Sequence, residues 1–194
     1  MNLNKLFELQ KELDQHIIRE KGLQGQDLLD KKILALQVEL GELAQNWRGF
    51  KFWSEDQEPR YETVEIYVHG YDGPGQDTRA SIQEYQAQPI LEEYVDCLHF
   101  ILSIGLELGY TFSPTTRWQS GTTTVHFNNL FHAVAILNES IESDWDEEDK
   151  QENFENIVGG FLGLGEMLGF TWEQIEKAYL EKNKINHQRQ ENGY

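Results

Sequence analysis

The sequence predicts an all-α fold, a bundle of about six helices, on three observations. Apolar residues recur at helical spacing in six separate segments. Glycine or a Ser, Thr, Asp or Asn residue stands where several of those segments end or begin. Three of the four prolines (Pro59, Pro74, Pro89) are confined to one polar stretch, 54–89, and so leave most helix interiors intact.

The first helix follows from Leu3, Leu6, Phe7, Leu9, Leu13, Ile17 and Ile18, with Asn2 or Asn4 as its cap. Asp27 or Asp30 opens a second, whose apolar side is Ile33, Leu34, Leu36, Leu40, Leu43 and Ala44, running to about Trp47. Residues 54–89 then break the pattern. The β-branched and aromatic run from Tyr61 to Val68 favours a strand, and HGYDGPGQD a turn, so this insert reads as a β-hairpin or ordered loop. A third helix covers about Ile90 to Leu108 and stops at Gly109; a fourth, after the linker YTFSPTTRWQSGTTT, covers roughly Val125 to Ile141. A fifth ends at Gly169, and Thr171 with Gln174 forms a capping box that starts the sixth. Together these make one domain over 1–194, with the insert at 54–89.

Gly105-Leu-Glu-Leu-Gly109-Tyr-Thr-Phe resembles Gly165-Glu-Met-Leu-Gly169-Phe-Thr-Trp at an offset of sixty. On that offset Glu93 and Asp96 correspond to Asn153 and Asn156. Two readings fit: a duplicated helical unit with one acidic copy, or a helix end and restart that simply recurs.

Sixteen Lys+Arg against thirty-four Asp+Glu give a net charge of −18. With no basic run, neither nucleic acid nor a membrane surface is an expected partner. The single Cys97 cannot form an internal disulfide, and no stretch approaches the roughly 18 apolar residues of a membrane span. A soluble, cytoplasmic protein is expected.

The chemistry lies in two acidic pairs, Glu39-x-x-Glu42 and Glu93-x-x-Asp96, each on a predicted helix. Three-residue spacing puts both carboxylates of a pair on one helix face. If the helices pack together, four carboxylates converge and need a cation; Mg²⁺ is the hard-ligand choice and Mn²⁺ the alternative. Either pair alone reads as solvated surface. After the first pair, NWRGFKFWS offers Phe52 and Trp53 to stack on a planar ring and Arg48 and Lys51 to approach phosphate; a helix-end aromatic plug is the plainer reading. The polar segment KNKINHQRQENGY reads as a solvated tail or as a phosphate-binding strip, with charge from Lys182 and Arg189 and amides from Asn183, Asn186 and Gln190. His99 follows Asp96 by three residues, but a di-iron site needs two such motifs, which leaves His99 a supporting or packing role.

Taken together, E-L-G-E-L-A-x-x-W, F-K-F-W-S, E-E-Y-V-D-x-L-H-F-I-L-S-I-G and the K-N-x-x-N-x-x-R-Q-x-x-G-Y tail resemble the dimeric, all-α dUTPases. That family lies in the all-α nucleoside triphosphate pyrophosphatase superfamily, with the MazG-type enzymes. The resemblance spans most of the chain and is silent on 54–89. It implies a homodimer that hydrolyses dUTP, with dUDP as a further candidate substrate and Mg²⁺ held by Glu39, Glu42, Glu93 and Asp96. Glu42 first, and Glu39 second, would orient or deprotonate the attacking water. Lys182, Asn183, Asn186 and Arg189 match the tail motif and would grip substrate, with Lys51 on phosphate. Gln10 would contact the base, Trp53, or Phe52 in another register, would pack on uracil, and Phe100 either presses on the deoxyribose or packs in the core. Asp14 stands near a position where the resemblance implies a base-reading Asn, which leaves a dCTP or modified-nucleotide pyrophosphatase as the rival enzyme. A catalytically silent helical protein that binds metal or a partner is the rival of another class.

Overall fold

The computed structural model describes residues 3–59, 62–68, 81–87, 89–110 and 117–193, the two middle spans as backbone strands. Six helices occur among them: α1 (Leu3–Lys21), α2 (Leu29–Trp47), α3 (Pro89–Leu108), α4 (Thr123–Glu142), α5 (Glu147–Met167) and α6 (Trp172–Glu191). Between α2 and α3, strands β1 (Glu62–Val68) and β2 (Ser81–Ala87) pair antiparallel, with Ile66 opposite Gln83, so the insert carries the expected hairpin. Its turn, HGYDGPGQD, lies outside the described residues, as do Asn2, Tyr61 and 111–116 of the long linker.

Helix α3 is apolar on nearly all sides, and a helix of that kind has to be surrounded. It packs against α1, α2, α5 and α6, while α4 closes against α2 and α5. Tyr94, at its heart, stacks on Phe161 at 4.2 Å between ring centroids and donates its hydroxyl to the Phe161 carbonyl at 3.0 Å. Both stop signals act as expected. Gly109 (φ 74°) and Gly169 (φ 80°) take the left-handed conformation, and the next amide, of Tyr110 or Phe170, returns to the carbonyl of Gly105 (2.9 Å) or Gly165 (3.0 Å). Both halves of the Thr171 and Gln174 capping box are present.

At the start of α2 the expected cap is indirect: Leu28 is the N-cap, while Asp27 accepts from the Leu29 amide at 3.0 Å. Helices α1 and α6 meet along the outside of α3. Tyr179 reaches Gln10, Lys5 pairs with Glu176 at 3.0 Å, and the imidazoles of His16 and His187 meet Nδ1 to Nδ1 at 2.7 Å. No helix among the described residues is long and apolar enough to cross a membrane.

Candidate active site

Helices α2 and α3 pack side by side, and the spacing of their acidic pairs turns the carboxylates toward the shared seam. Glu39, Glu42 and Glu93 bring carboxylate oxygens within 4.8 Å of one another. Asn46, one turn beyond Glu42 on the same face, donates to Glu93 Oε1 at 3.1 Å and to the Glu42 carbonyl at 3.3 Å. Burial, then the charges of Asp96 and Glu42, push the Glu39 carboxyl up to about 7, against the pull of Lys182. Burial, then the charges of Glu42 and Asp96, do the same to Glu93, also up to about 7. Three carboxylates held this close without enough positive charge fit a hard divalent cation with oxygen ligands.

Asp96 stands apart from that trio. Its Oδ2 accepts from Lys182 Nζ at 2.6 Å, and the same ammonium reaches Glu92 Oε1 at 2.7 Å. Burial raises the Asp96 carboxyl, and Lys182 pulls the other way. Desolvation would lower the Lys182 ammonium, but its bonds to Asp96 and Glu92 outweigh it and leave the group above its ordinary value. The fourth expected ligand is thus held by a lysine from α6, itself one of the expected substrate-gripping residues.

A cleft of about 450 Å³ opens beside the trio. Along α3 it is lined in turn by Asp96, His99 with Phe100, and Ser103, and along α2 in the reverse sense by Glu39, Ala35 and Lys32. From Asp96 to Ser103 is seven residues, about 10 Å at the helical rise. One end is therefore charged, with Glu39, Asp96, Lys182, Asn186 and Arg189 on the lining. The far end is apolar, built by Leu13, Ile17, Ile18 and Leu28 around a few polar groups.

Those polar groups form one network. Gln10, buried on α1, donates from Nε2 to Asp14 Oδ1 at 2.7 Å, and its Oε1 accepts from His99 Nδ1 at 2.7 Å and from the Tyr179 hydroxyl at 2.8 Å. Ser103 Oγ donates to Asp14 Oδ2 at 2.6 Å. Burial, helped by the Lys182 charge, drives the His99 imidazole down to about 3. His99 is therefore neutral at physiological pH, and with Nδ1–H given to Gln10 its Nε2 is a bare acceptor. His99 Nε2, on the cleft lining, is buried with no hydrogen-bond partner, whereas Asn183 is buried behind that lining. In a cleft wall, unpaired buried polar atoms mark places a ligand would satisfy.

Other expected site residues fall elsewhere. Lys51 and Trp53 follow the end of α2 and do not line the cleft; Trp53 is 66 % exposed and sits edge-on to Phe50 and Phe52. Arg48 is not available to phosphate. It ends α2 in the left-handed conformation (φ 67°), and its buried guanidinium grips the turn that follows, donating to the Asp56 carbonyl at 2.7 Å and carboxylate at 3.0 Å. Sequence reasoning missed Asn46, Glu92 and Lys32. Asn46 carried a signal, four residues after Glu42 on the acidic face; Lys32 carried none, because only the packing of α1 on α3 reveals Asp14 beside it.

A helical bundle with a carboxylate cage and a lysine at one end of a cleft, and an apolar, hydrogen-bonding recess at the other, defines a protein that handles small phosphorylated ligands. A family model described as dUTPase matches residues 2–70 and 80–194, so the chain belongs to the all-α dUTPase family. It is accordingly an enzyme, a dUTP diphosphatase. No curated protein sequence matches the chain.

Proposed function

We propose that this enzyme hydrolyses dUTP to dUMP and pyrophosphate with Mg²⁺ as cofactor, that Mn²⁺ can replace Mg²⁺, and that dUDP is a further substrate. The observation that carries the reading is the cleft itself. About 10 Å of α3 separates a carboxylate cage from an apolar, hydrogen-bonding recess, which suits a phosphate chain at one end and a base at the other. Glu39, Glu42, Glu93 and Asp96 would hold the metal. When bound, Mg²⁺ would neutralise the triphosphate and make a nearby water more acidic.

The chain's own groups do the rest. Glu42 is the most exposed of the trio and the best placed to orient or deprotonate water; Glu39 shares the seam. Lys182 already carries an ammonium to the charged end, and Asn186 and Arg189 line it beside Lys182. These three would grip the phosphates, and Asn183, which is buried off the cleft lining, joins them on the family resemblance alone. Lys51 and Trp53 lie off the cleft lining, and a substrate contact from the segment after α2 is supported by the resemblance of FKFWS to the family alone. The same resemblance supports one catalytic domain and a homodimer, and the single unpaired Cys97 supports a cytoplasmic setting.

Incubation with dUTP and Mg²⁺ should release pyrophosphate, and Glu39→Gln should lower kcat/KM more than about 100-fold. No pyrophosphate from dUTP under any divalent metal would overturn the reading.

A further inference from the structure

We propose that Asp14 selects the base, as the middle member of a donor–acceptor–donor row formed by Gln10, Asp14 and Lys32 that matches the edge of uracil and opposes that of cytosine. The inference rests on the cleft being a nucleotide site, and adds which atoms choose the pyrimidine.

A carboxylate only accepts hydrogen bonds. Gln10 must therefore turn its amide nitrogen to Asp14, at 2.7 Å, and its oxygen to His99 and Tyr179. That oxygen is fully used by two donors. What Gln10 can still offer the cleft is the second hydrogen of Nε2, a donor. Asp14 accepts from Gln10 at Oδ1 and from Ser103 at Oδ2, while a carboxylate has about four acceptor sites. It keeps capacity for one more donor. On its other side Lys32 Nζ stands 3.7 Å from Asp14 Oδ2, held at 2.6 Å by Glu107, and has hydrogens to spare. Gln10, Asp14 and Lys32 all line the cleft; Asp14, through Ser103, and Lys32 stand around 10 Å of helix from Asp96 and Glu39, with Gln10 at His99 between.

The Watson–Crick edge of uracil reads acceptor, donor, acceptor: O2, N3–H, O4. Cytosine reads acceptor, acceptor, donor. Because O2 and O4 flank N3 alike, uracil satisfies the row in either orientation, with N3–H on Asp14. Cytosine fails in both, since its N3 lone pair faces the carboxylate. A buried polar mismatch of this kind discriminates far more strongly than a missing methyl group. Far from weakening uracil recognition, an acid at this position enforces it.

The test is Asp14→Asn, whose amide nitrogen replaces Oδ2 and turns the middle of the row into a donor. Titration calorimetry with dUMP and dCMP reads the base without turnover, and kcat/KM on dUTP and dCTP reads it in catalysis. The wild type should favour uracil at least tenfold in both measurements. Asp14→Asn should cut that ratio about tenfold or more, with dCTP turnover rising outright. Lys32→Met, which leaves Asp14 in place, should lower the ratio several-fold and covers the case in which Asp14→Asn unfolds.

A folded Asp14→Asn variant with the wild-type ratio, or a wild type indifferent to the base, overturns the assignment and leaves dNTP hydrolysis standing. So does an unchanged ratio in Lys32→Met should Asp14→Asn not fold. Preference for dUMP that depends on Asp14, without hydrolysis of any dNTP, upholds the assignment and sinks the proposed reaction.

Discussion

Helices α3 and α5 are built alike and equipped differently. At an offset of sixty, Tyr94 of α3 corresponds to Phe154 of α5, and each ring lies against the other helix's glycine. A Cβ on Gly105 would stand 2.6 Å from Phe154 Cζ, and one on Gly165 would stand 2.5 Å from the Tyr94 hydroxyl oxygen. A helix end that merely recurs explains the matching caps; it does not require this reciprocal packing, which favours a duplicated unit. The polar faces diverge. Glu93 of α3 meets Glu39 and Glu42, and Asp96 meets Lys182. The counterpart of Asp96, Asn156, lines a cavity of about 380 Å³ with Asn129 and His132, and its carbonyl accepts from Trp118 Nε1 at 2.9 Å. The scaffold tolerates either equipment. What sets the α3 side apart as the candidate active site is an acidic pair on the facing helix and a cation from a third.

The comparison breaks most visibly at the carboxylates. Glu93→Gln should abolish tight Mg²⁺ binding and lower kcat/KM on dUTP more than about 100-fold, whereas Asn156→Ala should leave both within about twofold of wild type; calorimetry and a pyrophosphate assay decide. Next in size is the shared seam. Gly105→Ala and Gly165→Ala should each destabilise the fold by about 1–3 kcal/mol in denaturant unfolding, because a methyl group meets a ring that is itself packed. Similar losses at both sites support the duplication, and a loss at only one argues against it.

The smallest effect is a pH dependence belonging to the acidic copy alone. With Glu39 and Glu93 raised from 4.5 to about 7, the metal-free native state keeps protons that the unfolded chain has released. Their contribution to stability therefore falls as pH rises from about 4.5 to about 7 and is level above that. A divalent cation bound at the proposed site would displace the same protons. Mg²⁺ binding should release protons near pH 6 and almost none near pH 8.5, read from calorimetry in buffers of different ionisation heat.

Much of this was legible beforehand because its cause is local. Helical periodicity placed all six helices, Gly109, Gly169 and Thr171 marked their ends, and i,i+3 spacing put Glu39 with Glu42 and Glu93 with Asp96 on single faces. What sequence could not supply was the meeting of faces. That Lys182 bonds Asp96, that Gln10 lies under His99, and that Lys32 stands beside Asp14 are results of tertiary packing between residues up to 89 positions apart. Arg48 shows the opposite error: a charge that looked free was taken by the Asp56 turn four residues past Phe52.

The lysine that shields Asp96 lies 86 residues further along the chain. During synthesis α2 and α3 leave the ribosome and can pair well before α6 exists, so the nascent carboxylate cage meets its own repulsion without its internal counterion. At the usual elongation rate of about 5–20 residues per second that interval lasts several seconds. For that time only protons or cations from the surrounding solution are at hand to let the seam close.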